Sequence, residues 1–291
     1  MAPRTVELLG FDRDARVLVV NADDFGMSGG VNRAVIEAFD RGVVTSCSLL
    51  TVCPGTGAAL DVLAERPDVP FGVHLTLVSE SPTRRWSAAA SDVGSLHDGA
   101  GFLRAQTDRD GLLARARLDE VEREMRAQLA VVLERGLQPT HLDWHCLADG
   151  GRADITGLTL DLAVEFGLAA RMWLPTRRRA ATARGLPVVD HDFLDSFSLD
   201  TTTKTHVYRA GVRALRPGLT EWAVHPGSDD EVSRAEDPQW RVRHSDLVAL
   251  TDPSLRETMQ SEGITLADHR AARQVWVGAA AAVPHPETGL S

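Results

Sequence analysis

Ala15-Arg16-Val17-Leu18-Val19-Val20-Asn21-Ala22-Asp23-Asp24-Phe25-Gly26 is the stretch that decides the fold class. Ala15 to Asn21 is a compact apolar run of buried-strand length. Ser28 then offers a helix cap, and Val31, Ala34, Val35, Ala38 and Phe39 recur at helical spacing as far as Gly42. A strand that passes through a short connection into an amphipathic helix is the opening unit of an α/β fold.

The same pattern continues outward. Val43 to Leu50 reads as a second strand, Thr56 to Glu65 as a short helix and Pro70 to Val78 as a third strand. Leu118, Val121, Met125, Leu129 and Val132 form the apolar stripe of a longer helix ended by Gly136. Thr140 to Asp143, Leu168 to Trp173 and Thr220 to Val224 are further strands, Ile155 to Phe166 is a helix, and Trp240 to Arg273 reads as mostly helical. Strand–helix alternation implies parallel strands joined by right-handed crossovers, in either an open doubly wound sheet or a closed barrel. No G-x-G-x-x-G or P-loop follows the first strand, which disfavours the nucleotide-binding version. Ser79 to Asp110, rich in Ser, Ala, Asp and Gly, reads as an insertion or lid. Without a repeat or a clear linker, one domain over residues 1–291 is expected, with a loose tail after Val283.

Composition narrows the partners. The 291 residues carry 31 Lys+Arg against 41 Asp+Glu, a formal charge of −10. That balance argues against nucleic acid and anionic membrane surfaces, both of which need clustered cations. Apolar stretches fall well short of the ~20 residues of a membrane span. The first 16 residues lack a signal-like apolar core, and three cysteines are too few for a disulfide framework. A cytoplasmic chain with reduced thiols is expected, Cys47 and Cys53 serving as small buried side chains.

Polar residues concentrate where the strands end, which is where α/β folds place their chemistry. Adjacent carboxylates at Asp23 and Asp24 are costly beside a buried strand unless something cationic joins them; the plain alternative is an Asx-turn or helix cap. His74, inside the apolar Gly72-to-Leu77 run, is either a ligand or a satisfied core histidine. In His141-Leu142-Asp143-Trp144-His145 the strand period puts His141, Asp143 and His145 on one face, provided no turn follows Asp143. His225, before Pro226-Gly227, ends a late strand or sits idle in a loop. One Asp and two His with positions left for water suit a catalytic divalent ion. A second carboxylate that takes a proton and a remote imidazolium that gives one complete the logic of metal-assisted amide hydrolysis.

These motifs, Asn21 to Gly26 with residues 30–50, then Phe71 to Leu77, Pro139 to His145 and Val224 to Gly227, resemble the YdjC-like carbohydrate deacetylase family. They occur in the family's order, and the resemblance spans about Ala15 to Arg273. It implies an irregular, TIM-like (β/α) barrel related to the polysaccharide deacetylases. It also implies removal of an N-acetyl group from an amino sugar or short oligosaccharide with one divalent ion, Mg²⁺ or Zn²⁺ foremost. Matched position by position, Asp24, His74 and His145 would ligate the metal, Asp23 would be the general base and His225 the general acid. Arg171 would orient Asp23 or bind substrate. For His141 and Asp143 two arrangements are open: His141 donates to Asp143 behind the metal, or Asp143 fixes the tautomer of His145.

A homodimer is compatible with the resemblance. The sequence also departs from it. The family often places another histidine two positions after the last ligand; here Leu147 stands there, preceded by Cys146, which bears on substrate contacts. A soft-ligand role for Cys146 is the minor reading. Trp86, Trp144 and Trp173 are candidates for stacking on a sugar ring, with core packing expected for at least two of them. The same donor set would also serve hydrolysis of another amide or a phosphoester, and a sugar-binding protein without turnover is the third reading.

Overall fold

A computed structural model of the chain describes residues 4–81 and 84–282, with side chains as far as residue 278. Its strands are β1 (Arg16–Phe25), β2 (Ser46–Leu49), β3 (Phe71–Leu75), β4 (Val78–Ser79), β5 (Arg104–Ala105), β6 (His141–Trp144), β7 (Ala169–Ala170), β8 (Leu194–Asp195), β9 (Gly218–Val224) and β10 (Thr265–Ala267). Eight of them form one parallel sheet in the order β7-β6-β3-β2-β1-β9-β8, and β10 lies against the first half of β1. The second half of β1 pairs with β2 on that edge, while β9 pairs along the other. The sheet curls into an incompletely closed α/β barrel. Its ends, β7 and β8, are two residues each.

The alternation of β1 divides the barrel into two zones. Leu18, Val20 and Ala22 pack into the main core with the surrounding helices. Val17 and Val19 face the other way, against Val6, Val189 and Leu219. Asn21 and Asp23 continue that inner face, so its lower half is apolar and its upper half polar. At the top, between the pairs Ala22–Cys47 and Phe25–Leu49, two residues of β1 (Asp23 and Asp24) oppose one of β2 (Ser48). Asp24, at φ 69°, is the bulged residue. The bulge defeats the alternation that would send neighbouring side chains to opposite faces, and it brings both carboxylates to the same mouth. The turn or cap reading of this pair is thereby corrected: Ser28, accepting from Val31 N, caps the helix Gly29–Arg41.

Several expected boundaries shift. The third strand stops at Leu75 because Gln128, from the helix Leu118–Leu133, takes both backbone groups of Thr76, at 2.9 and 2.6 Å. The region expected to be mostly helical after Trp240 also contains β10, three residues too short to show a period. The described residues of the segment from Ser79 to Asp110, expected as an insertion or lid, are tied to the body of the fold. β4 pairs with β5, Trp86, Leu96 and Leu103 are buried, and buried Glu124 accepts from Ala89 N and Ala90 N. The tail expected after Val283 lies outside the described residues. Among the described residues no helix is long and apolar enough to cross a membrane.

Candidate active site

A cavity of about 310 Å³ opens at the C-terminal ends of the strands. Asp23, Asp24, His74, His145, Arg171 and His225, from five separate stretches of the sequence, all line it. Asp24, from the β1 bulge, is 2.9 Å from His145 Nδ1 and 3.4 Å from His74 Nε2 through Oδ1. Its other oxygen pairs with Arg243 Nη1 at 2.8 Å. Ligand atoms of Asp24, His74 and His145 lie within 4.8 Å of one another, and all three residues are buried. Donor type and spacing fit a divalent cation.

Asp23 sits beside this trio in a bidentate grip. Arg171 Nη1 and Nη2 each donate to it at 2.8 Å, and Asn21 Nδ2 donates at 2.7 Å. Burial pushes this carboxyl's pKa up, but the Arg171 charge and hydrogen bonds overcome it and hold the group well below the usual carboxylate range. His225 Nε2 approaches Asp23 Oδ2 at 4.0 Å.

Behind the mouth, Asp143 accepts from or pairs with three groups: His74 Nδ1 at 2.8 Å, Ser48 Oγ at 2.6 Å and Arg171 Nη1 at 2.9 Å. This corrects both arrangements read from the sequence. Asp143 orients His74, not His145. His141 Nε2 lies 3.9 Å from Asp143 and reaches it through the Ser48 hydroxyl, at 3.2 Å. The extended segment does carry His141, Asp143 and His145 on one face, since His145 N still bonds Leu75 O just past the strand end. His141 lies deepest, its ring stacked on His269 at 3.7 Å and pressed across β3. A Cβ on Gly72 would come within 2.5 Å of that ring, so glycine is what allows the crossing. Burial, then the nearby charges of His269 and Arg171, keep His141 neutral, with its pKa well below the ordinary value.

The charges around the cavity are unevenly balanced. Six buried carboxylates (Asp23, Asp24, Glu80, Asp143, Glu221 and Asp237) surround two buried guanidinium groups, Arg171 and Arg243. Burial disfavours the imidazolium of His74, yet Asp143, Asp24 and Asp23 raise its pKa to about 9. His145 is likewise raised against burial by Cys146 and Asp24. A divalent ion can replace that positive charge.

Several site residues were not foreseen. Arg243, Glu80, Glu221, Ser48, Ser196 and Asp246 carry no local signal, because each sits in ordinary helix, strand or loop context. Asp246 is fully buried and takes Ser196 Oγ at 2.5 Å, Tyr208 Oη at 2.6 Å, His225 N at 2.8 Å and Lys204 Nζ at 3.0 Å. Ser196 Oγ then faces His225 Nδ1 at 3.0 Å. Of the three tryptophans, Trp86 packs on His145 in the core, and buried Trp144 donates to Thr159. Trp173, half-buried and stacked on Phe193, lines the cavity wall.

The architecture and motifs have close counterparts. A carbohydrate deacetylase of Brevibacillus brevis is 33% identical over 253 residues, covering 86% of this chain and 96% of that one. A carbohydrate deacetylase of Geobacillus stearothermophilus is 33% identical over 257 residues, covering 88% and 97%. The crystal structure of an Enterococcus faecalis protein described as a cellobiose-phosphate cleavage protein superposes with a TM-score of 0.76 at 27% identity, covering 88% of this chain and 98% of that one. The YdjC-like protein family profile matches residues 17–261, and this chain belongs to that family.

Proposed function

We propose that the chain is a metal-dependent hydrolase that removes N-acetyl groups from amino sugars or short oligosaccharides. The relatives named carbohydrate deacetylase support the substrate class. The observation that carries the chemistry is the placement of Asp23 and His225 side by side next to the Asp24–His74–His145 trio. Those three side chains would hold one divalent ion, Mg²⁺ or Zn²⁺ by donor type. When bound, such an ion lowers the pKa of a water and polarises a carbonyl oxygen.

The remaining work falls to this chain's own groups. Arg171 keeps Asp23 ionised and fixed in orientation, so one carboxylate is ready to take a proton from the attacking water. Ser196 spends its hydroxyl proton on Asp246 and therefore accepts from His225 Nδ1–H. That leaves His225 Nε2 toward the cavity, where an imidazolium N–H can protonate the departing amine. Asp143 holds His74 Nδ1, which leaves His74 Nε2 toward Asp24. Trp173 and Phe193 offer an aromatic wall suited to the apolar face of a sugar ring.

The test is acetate release from N-acetylglucosamine oligomers, paired with metal analysis of the purified chain. Asp23→Asn should keep the metal and lose at least 10²-fold in turnover, the usual scale for a general base. Asp24→Asn should lose both. Release that survives chelation and Asp24→Asn alike would defeat the reading. A parallel panel of phosphoesters and other amides separates it from a hydrolase of a different bond.

A further inference from the structure

We propose a second cation site at the mouth of the cavity, formed by Glu80 Oε2, His145 Nε2 and Cys146 Sγ, that takes a thiolate-seeking divalent ion such as Zn²⁺ or Cd²⁺. The three ligand atoms lie within 4.8 Å of one another. His145 Nε2 is 3.2 Å from Glu80 Oε2 and 3.3 Å from Cys146 Sγ. Glu80 reaches the site from the segment that follows β4. It is nine-tenths buried, and its Oε2 makes no hydrogen bond of good geometry although it is shut off from water. It pairs with the His145 imidazole at 3.2 Å, and a cation held between the two would satisfy the buried carboxylate directly. Cys146 is the exposed member, so an ion can enter from solvent.

Local backbone makes this convergence possible. Consecutive residues of an extended chain point to opposite sides. Cys146 has φ 57°, which breaks the alternation and returns the thiol to the same side as the His145 ring. Softness separates this site from the inner one. Asp24, His74 and His145 offer only oxygen and nitrogen, whereas the outer trio adds a sulfur that selects zinc- and cadmium-like ions over magnesium. On binding, the thiol releases its proton to solvent, and the sulfur electron pair forms the bond to the ion. Three protein ligands leave a position for water.

The two sites share one imidazole through opposite nitrogens. Nδ1 faces Asp24 at 2.9 Å, and Nε2 faces the outer trio. A neutral imidazole coordinates through one nitrogen and keeps its proton on the other. An ion on Nε2 fixes the Nδ1–H tautomer, whose proton goes to Asp24 Oδ1. His145 is then withdrawn from the inner trio. The outer ion is thus an inhibitor that acts through the tautomer of a shared ligand. This consequence rests on the metal-dependent reading above; the existence of the outer site does not.

The experiment is a Cd²⁺ titration of the full chain, followed by the ultraviolet thiolate-to-cadmium charge-transfer band, in wild type, Cys146→Ser and Glu80→Gln. Cys47 and Cys53 are buried, so the band reports Cys146. One equivalent of band is expected in wild type, none in Cys146→Ser, and at least tenfold weaker binding in Glu80→Gln. In the same samples Zn²⁺ should suppress acetate release, and Cys146→Ser should need at least tenfold more Zn²⁺ than wild type for the same fractional suppression of its own rate. No band in wild type, a band that persists in Cys146→Ser, or unchanged affinity in Glu80→Gln overturns the site. Unchanged zinc sensitivity in Cys146→Ser overturns the competition. A chain that shows the band but releases no acetate supports the outer site and counts only against deacetylation.

Discussion

Arg171 holds Asp23 with two parallel hydrogen bonds of 2.8 Å, and its remaining contacts go to Asp143 at 2.9 Å and Glu221 at 2.8 Å. A single buried guanidinium thus pairs with and orients three buried carboxylates drawn from three strands. A fork donating to a carboxylate fixes its direction as well as its charge. These contacts set Nε, Nη1 and Nη2 of Arg171 against carboxylates.

Removing this arginine should therefore be costly for the fold. Arg171→Ala leaves carboxylates buried without a partner, and a loss of about 3–5 kcal/mol in urea unfolding is expected. Arg171→Lys keeps the charge but not the fork. It should lose less stability while dropping acetate release at least tenfold. Equal stability of the two variants would show that the pairing does not matter to folding.

Ser196 connects Asp246 to His225, so it should govern the proposed proton donor without touching substrate. Ser196→Ala frees the imidazole to rotate, and small misplacements of a reacting group can cost about 10²-fold. We expect kcat to fall tenfold to a hundredfold (on that scale) with KM nearly unchanged. Steady-state kinetics check this, and a change confined to KM would remove Ser196 from its positioning role.

Gly72 tests the placement of His141 beneath the site. A methyl group there meets the His141 ring at 2.5 Å. Overpacking of this kind costs about 1–3 kcal/mol. Chemical denaturation of Gly72→Ala should show that loss, and the loss should shrink when His141→Ala is made in the same chain. Additive effects would mean the ring lies elsewhere.

Asp149 supplies a pH-dependent term. Burial raises its pKa from 3.8 to about 6, against the opposing hydrogen bonds from Leu174 N and Trp173 N. Between those two values the folded chain keeps a proton that the unfolded chain releases. Stability contributed by this residue is full below pH 3.8 and declines as pH rises through about 6. The decline is about 3 kcal/mol by the conversion of pKa to free energy. Unfolding measured from pH 4 to 7 should show that the difference between wild type and Asp149→Asn grows with pH in favour of the variant. A difference that is flat across the range would exclude the shifted carboxyl.

Much of the fold was legible because its signals are local. The apolar run of β1, the helical spacing after Ser28 and the strand period through His141, Asp143 and His145 each need only neighbouring residues. The boundaries that moved did so for non-local reasons: Gln128 ends β3 from a helix 52 residues away.

By itself the sequence determined which chemistry is available: the paired carboxylates, the histidines at strand ends and the parallel α/β frame that gathers strand ends on one side. Only the tertiary structure decided which groups serve which. It gave Asp143 to His74, gave His145 to Asp24, and recruited Arg243, Asp246 and Glu80. The reason is physical. A period along the chain fixes the face on which a side chain emerges. The charge state and partner of a buried ionisable group depend on distances of a few ångströms between residues far apart in sequence.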